Sequence, residues 1–380
     1  MAELAKLEAG QMPDTTEIDN PISPRGNRIM SSSVKLAKFA GLDIAKSNFQ
    51  VHCLDGEREL LIRRNLKRSQ VAPFFERLPR LKVGVEAGAA AHHWARQLSA
   101  IGHEVAIIPG KFVSAFRVGQ KNDANDAEAI CFAVMQPSSP IVPIKAIDRQ
   151  SILMVHRSRE LLKKQKIQLL NFMRSLLAEF GVILPLGTGH VLKYVSDANR
   201  IAADKIPSEA FEVCNMLLAQ AKRIDQKITK LERIVLLWHE ASQVSKRLAT
   251  IPGVGLITAT ALAATVDDPQ RFRTARHFAS WLGLSPRQHS TGGRARLGAI
   301  TRRGDPYLRR LLVSGALPLV ARARKKALPQ DVKWKSMLER KHPRIVTIAI
   351  ANRNARIAWA IMRYNSEYVE PSPSLWSQRG

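Results

Sequence analysis

An α/β domain followed by a long helical chain is the fold class this sequence predicts, and three observations predict it. Across residues 34–147, short apolar runs and helical patterns follow the order strand, strand, strand, helix, strand, helix, strand, helix. That is the order of an RNase H-like mixed sheet flanked by helices. From Cys214 onward, apolar residues recur at alternating spacings of three and four, the mark of a coiled-coil seam. Beyond residue 246 the pattern is helical and strongly basic. The expected organisation is a disordered leader over 1–33, the α/β domain over 34–147, a helical coiled-coil region over 148–245, a mostly α region over 246–363 and a tail over 364–380.

The elements follow in order. Residues 1–33 mix Gly, Pro, Ser and acids without periodicity. The first strand lies in Lys35–Asp43, a mostly apolar run ending in an acid. Asn48–Leu54 alternates and runs into Asp55-Gly56, a hairpin turn signal. Glu59–Arg63 gives the third strand, Ser69–Leu78 a helix, and Leu81–Glu86 a fourth strand that again ends in an acid. Ala89–Ile101 reads as helix and Glu104–Ile108 as the fifth strand. Residues 149–180 are helical and are interrupted after Pro185 by Gly187 and Gly189. The seam then runs through Cys214, Leu217, Ala221, Ile224, Ile228, Leu231, Val235 and Trp238. It fits both an antiparallel partner helix within the chain and a contact between subunits. At Ile251-Pro-Gly-Val-Gly255 one helix stops and another starts. A turn of this kind resembles the hairpin of helix-hairpin-helix elements, in which Gly253 and Gly255 would offer backbone N–H groups to a phosphate. It equally suits a tight turn between core helices. Residues 305–363 are helical and basic.

Charge narrows the function class. The 380 residues hold 59 Lys and Arg against 32 Asp and Glu, a net +27. Between Arg287 and Arg363 there are 19 Lys/Arg and 3 acids, so this fifth of the chain carries +16 of that surplus. Such asymmetry predicts a nucleic-acid surface. The longest apolar run, Leu311–Val320, is too short to span a bilayer and contains Pro318. Together with an N-terminus that lacks a signal-peptide core, this predicts a cytoplasmic protein with no membrane partner. Three cysteines, odd in number and without CxxC spacing, fit a reducing compartment and argue against a zinc module.

Two constellations carry candidate chemistry. In the segment from Trp281 to Arg310, Ser290 and Thr291 precede a glycine pair and are surrounded by Arg287, Arg294, Arg296, Arg302, Arg303, Arg309 and Arg310. Arginine forks suit phosphate, and a hydroxyl set among them is what attack on a DNA backbone requires. The same residues also describe a basic binding loop with an incidental serine. The second constellation is acidic. Asp43 and Glu86 end strands, the usual place for site residues in an open sheet. Asp123 and Asp126 stand three apart, on one helical face. Carboxylates gathered without His or Cys select hard cations such as Mg²⁺ or Mn²⁺, and two such ions can clamp the oxygens of a phosphodiester. Taken singly, each acid also reads as a surface or capping residue, Asp123 as the cap of its own helix. Glu128 is a possible substitute for Asp126 on another face, and His92 and His93 follow Glu86 closely.

Gly41-Leu-Asp-Ile-Ala-Lys46, Val83-Gly-Val-Glu-Ala87, Lys121-Asn-Asp-Ala-Asn-Asp-Ala127, Ile251-Pro-Gly-Val-Gly255 and the Gly283–Arg310 block together resemble the transposases of the insertion-sequence 110 family. The Arg287-Gln-His-Ser-Thr-Gly-Gly293 form resembles the 1111 subgroup, related to the Piv/MooV DNA invertases. The likeness spans residues 40–363. It implies a RuvC-like N-terminal domain with a DEDD metal site, a coiled-coil insertion and a C-terminal transposase domain with a serine nucleophile. Carried over by motif, the acids are Asp43, Glu86, Asp123 and Asp126, and the nucleophile is Ser290, with Thr291 as the alternative. The resemblance also implies a structured non-coding bridge RNA that pairs with donor and target double-stranded DNA. It further implies dimers that assemble into tetramers, with the acids of one protomer facing the serine of another, in a bacterial, nucleoid-associated setting. The expected activity is RNA-guided excision and insertion of a mobile element. The rivals are a hydrolytic RuvC-like nuclease or junction resolvase, and a non-enzymatic RNA- and DNA-binding protein.

Overall fold

The computed structural model describes residues 36–120, 122–197, 206–291, 294–325 and 332–370, with backbone alone at 289–291, 294–297, 332 and 333. The expected leader lies outside these residues, as does the expected tail beyond residue 370. The chain divides into two compact units, Met1–Ile144 and Lys145–Gly380. The helical region expected over 148–245 and the basic region expected over 246–363 share the second unit.

The first unit is built on a five-stranded sheet. Strands β1 (Phe39–Ile44), β2 (Asn48–Leu54), β3 (Leu60–Lys67), β4 (Lys82–Glu86) and β5 (Glu104–Ile108) stand in the order β3-β2-β1-β4-β5. β2 runs antiparallel to β1 and β3, while β4 and β5 run parallel to β1. The third strand reaches Lys67 rather than ending at Arg63, because all seven residues of β2 find partners on it, from Asn48 opposite Lys67 to Leu54 opposite Leu60.

Alternation along β1 sorts the two faces. Ala40 and Leu42 join Phe49, Val51, Val83 and Val85 under helices α1 (Val71–Glu76) and α2 (Ala91–Ile101), through Phe75, Trp94 and Leu98. The other face is covered by the short α3 (Gly110–Val113) and by α4 (Asp123–Met135), through Val113, Ile130 and Val134. Gly41 and Gly84 pair across β1 and β4 on that second face. A Cβ on Gly41 would stand 2.0 Å from the Ala127 carbonyl oxygen, and one on Gly84 2.9 Å from that of Ile130. Glycine at both positions therefore lets α4 lie directly on the sheet backbone.

In the second unit, α5 (Ile147–Ala178) and α7 (Ser208–Ala241) pack side by side. Arg159 pairs with Glu232 at 2.6 Å and Lys166 with Asp225 at 2.5 Å. One helix ascends in number as the other descends, so the pair is antiparallel. Cys214, Ala221, Ile224, Ile228 and Val235 of the seam are buried, while Leu217, Leu231 and Trp238 are half-buried. The seam is thus filled within the chain: Ile152 and Val155 meet Val235, and Leu170, Met173 and Leu177 meet Cys214 and Ala221. The short α6 (Thr188–Val195) adds Val191 and Tyr194 to that second cluster.

The remaining core is helical: α8 (Gln243–Ala249), α9 (Leu256–Thr265), α10 (Ala275–Trp281), α11 (Pro306–Lys325), α12 (Val332–Arg340) and α13 (Pro343–Tyr364). Leu262, Phe278, Leu312 and Ile350 are fully buried at its centre. Between α10 and α11 stands a two-stranded hairpin, β6 (Pro286–Thr291) and β7 (Arg294–Ile300), in a segment the sequence pattern leaves as a basic loop. Among the described residues no helix is long and apolar enough to cross a membrane.

Candidate active site

Leu42 pairs with Val85 in parallel register, so Asp43 and Glu86 follow as neighbours at the carboxyl ends of β1 and β4. Both lie in step with Gly41 and Gly84, on the face that α4 covers. Glu86 rests against the start of α3, where a Cβ on Gly110 would come within 2.2 Å of Glu86 Oε1. α4 brings the other two acids in its first turn, Asp123 exposed and Asp126 buried. The helix cap is Asn122, whose side chain accepts from Asn125 N at 2.8 Å, so Asp123 is the first helical residue and not the cap. Asn125 Nδ2 in turn donates to the carbonyls of Val118 and Gln120, at 3.3 and 3.0 Å, and ties the preceding loop to the helix.

The electrostatics join the four acids. Burial pushes the Asp43 carboxyl up from its ordinary 3.8 to about 6, and the negative charges of Asp126, Asp123 and Glu86 add to the effect. Like charges in a partly dry site disfavour one another unless a cation sits among them. One cation is supplied by the chain itself: Arg117 Nε donates to Asp126 Oδ1 in an ion pair. Among the described residues no three His, Cys, Asp or Glu side chains close around a common point. With Asp126 held by Arg117 and Asp123 at the exposed rim, the acids are gathered without being clenched. An all-oxygen set of four carboxylates, three of which raise the proton affinity of Asp43, fits a hard divalent cation and suits no soft metal.

Other expected residues fall elsewhere. Glu128 faces His52, whose imidazole burial holds below its usual range. His92 and His93 open α2, which covers the opposite face of the sheet. Arg117 had no signal in the sequence beyond being one arginine nine residues before Asp126.

The second unit holds the hydroxyl constellation. Ser290 pairs in register with Ala295, and Thr291 with Arg294, at the end of the β6–β7 hairpin. Arg287, Arg302 and Arg303 are exposed, while the Arg294 and Arg296 side chains lie outside the described residues. Two of the expected phosphate ligands also make contacts within the fold. Arg309 Nη1 donates to the Leu282 and Arg303 carbonyls at 2.9 and 2.7 Å and buttresses the hairpin base. Arg310 pairs with Glu160 and lies over the Tyr307 ring at 5.4 Å. Both guanidinium groups already serve the fold. Gly253, at φ 85°, packs so closely on α11 that a Cβ would stand 2.6 Å from the Gly315 carbonyl oxygen. It makes a tight turn between core helices, and Gly255 stands exposed before α9.

Comparison with known proteins fits this layout. A profile of the DEDD transposase domain of the IS110 group, described as "Transposase", matches residues 40–181. A second, "Transposase IS116/IS110/IS902 family", matches residues 245–331. A probable family 20 transposase of Pseudomonas aeruginosa is 40% identical over 86% of this chain and 97% of its own length. The transposase for insertion sequence element IS1111A of Coxiella burnetii is 31% identical over 88% and 92%. The pilin gene-inverting protein of Moraxella bovis is more distant, at 25% over 73% and 77%. The chain belongs to the IS110/IS116/IS902 family of transposases, enzymes that act on DNA.

Proposed function

We propose that this transposase excises and inserts its mobile element under the guidance of a non-coding RNA, by attack of Ser290 on DNA phosphodiesters. The observation that carries the catalytic half is the gathering of Asp43, Glu86, Asp123 and Asp126 at one end of one sheet, with the Asp43 carboxyl raised to about 6. The sheet order β3-β2-β1-β4-β5, with β2 antiparallel, supports an RNase H-like and specifically RuvC-like reading of the first unit. A divalent cation, Mg²⁺ or Mn²⁺, held by the four acids would stabilise negative charge on the reacting phosphate oxygens.

The serine step balances without a further reactant. Ser290 Oγ gives up its proton and bonds to phosphorus, and the displaced DNA oxygen leaves as a hydroxyl after taking up a proton. A second DNA hydroxyl then attacks the same phosphorus and restores the serine. Phosphodiester energy is conserved across both steps, so rejoining needs no ATP, in keeping with a chain that has no Walker motif. The exposed Arg287, Arg302 and Arg303 suit phosphate contacts that position a strand without reading bases. Base pairing to the RNA would supply the sequence recognition, as in other guided systems. Self-association as dimer and tetramer belongs to the same proposal.

The test is strand cleavage in Mg²⁺ by the full chain and by its Asp43→Asn and Asp126→Asn variants, with DNA and RNA binding measured in parallel. Both variants are expected to lose cleavage and keep binding, because a cation needs the anionic oxygens and the basic surface does not. Cleavage at the parental rate by either variant would remove the acids from the mechanism.

A further inference from the structure

The first unit holds a second feature at the carboxyl end of the sheet, on the face opposite the acids. An open cleft of about 730 Å³ is lined by Lys46, Ser47 and Asn48 of the β1–β2 turn, Lys67, Arg68 and Ser69 at the end of β3, and His93 and Trp94 of α2. No acid lines it. Among the described residues no carboxylate pairs with Lys46, Lys67 or Arg68. Three uncompensated cations around one concavity make a strong anion field.

The cleft is built, not merely charged. The Arg68 guanidinium lies over the Trp94 ring at 5.4 Å and the Phe49 ring at 5.8 Å, which fixes a long side chain in place. Arg68 N donates to the Ser47 carbonyl at 3.1 Å, which locks the two basic segments together, and Lys67 N donates to Gln70 Oε1 at 2.7 Å, which fixes the turn after β3. Trp94 is 5% exposed, and its indole Nε1–H has no acceptor among the described residues. His93 presents an exposed imidazole beside it, with ring centroids 5.4 Å apart. A volume in the range of ligand sites, roughly 300–1,000 Å³, holds more than a lone phosphate.

We propose that this cleft binds one nucleotide of a nucleic-acid strand, with Lys46, Lys67 and Arg68 on its phosphates and His93 against its base. Cations interleaved with ring faces are what sequence-tolerant strand binding uses. The location gives the cleft a role. Asp43 is the last residue but one of β1 and Lys46 stands three residues on, so a strand anchored here passes round the end of the sheet that carries the acids. The proposal needs neither the serine step nor RNA guidance, and it stands or falls separately from them.

Fluorescence anisotropy of the full chain with a short single-stranded DNA and an RNA of the same sequence tests it across a salt series. Arg68 is left intact because it supports Trp94. The Lys46→Ala/Lys67→Ala variant should reduce the slope of log K against log salt by about 1.4, two phosphates at about 0.7 each. Lys46→Arg/Lys67→Arg should restore it. A 5-iodopyrimidine in the bound oligonucleotide should cross-link to the peptide carrying His93 and Trp94. A slope change for DNA alone or RNA alone identifies the strand. Unchanged slopes for both, or cross-links confined to the second unit, overturn the proposal.

Discussion

Replacing Asp43 by asparagine should make the metal-free protein more stable while it removes catalysis. An unfolded Asp43 releases its proton near 3.8, and the folded one near 6. Between those values the native state keeps a proton that the unfolded state has lost, so stability falls as pH rises from about 4 to about 6 and is level above. Solvent reaches part of the Asp43 carboxyl and screens the effect, so the ionised carboxylate costs the native state on the order of 1 kcal/mol at neutral pH, and the uncharged amide of the Asp43→Asn variant would not carry that cost. The assay is native-state amide exchange of peptides covering Phe39–Ile44 and Asp123–Met135, corrected for intrinsic rates. Without metal at pH 7.5, exchange through opening of this unit should slow about 5-fold in Asp43→Asn, and the two proteins should converge near pH 4. Adding Mg²⁺ or Mn²⁺ should protect the parent and leave the variant unchanged. A variant less stable than its parent at pH 7.5, or equally stable at every pH, would refute the electrostatic argument.

Three further perturbations follow. Arg117→Gln leaves the buried Asp126 carboxylate unpaired and should destabilise the metal-free first unit by on the order of 3 kcal/mol, with recovery in Mn²⁺; thermal melting with and without the ion measures both. Gly41→Ala forces a methyl against the Ala127 carbonyl and should cost about 1–3 kcal/mol, with loss of cleavage as α4 lifts its acids away; preserved activity would show that the close approach is dispensable. His156 is buried between Tyr307 Oη at 2.9 Å and Thr260 Oγ1 at 3.1 Å, and burial pulls its imidazole down from 6.5 to about 4. The unfolded state therefore gains a proton first on acidification, and the second unit should lose about 3 kcal/mol as pH falls from about 6.5 to about 4. His156→Gln should flatten that loss in urea titrations at pH 7 and pH 4, whereas an equal loss in the variant would assign it to other groups.

The acidic site was legible because its geometry is local. Strand-ending acids on β1 and β4, and an i, i+3 pair in one helical turn, converge once the strands pair in parallel. Arg117 was not legible, since its pairing with Asp126 depends on where residues 117–120 lie against α4. The seam of α7 was readable as a stripe, but its occupant was not, because a stripe buried by α5 and one buried by a second copy have the same spacing. The β6–β7 hairpin escaped for a different reason. Arg287, Gln288, His289, Ser290 and Thr291 carry no alternation of apolar and polar residues, so the segment does not read as a strand. Charge density pointed to the C-terminal region without telling a solvated arginine from a structural one: the partner of Arg310 is Glu160, 150 residues away.

The measurement that bears most directly on the proposed chemistry is the identity of the atom joined to DNA. A nicked suicide substrate that lets the cleaved end diffuse away should trap the covalent step in Mg²⁺. Protease digestion and mass spectrometry then map the nucleotide-bearing peptide. Serine is the less hindered nucleophile, since the β-branch of threonine restricts its rotamers. The adduct is expected on Ser290, lost in Ser290→Ala and kept in Thr291→Ala. An adduct on Thr291 would move the nucleophile by one residue along β6, and strand cleavage without any adduct would contradict the covalent mechanism and leave a hydrolytic nuclease in its place.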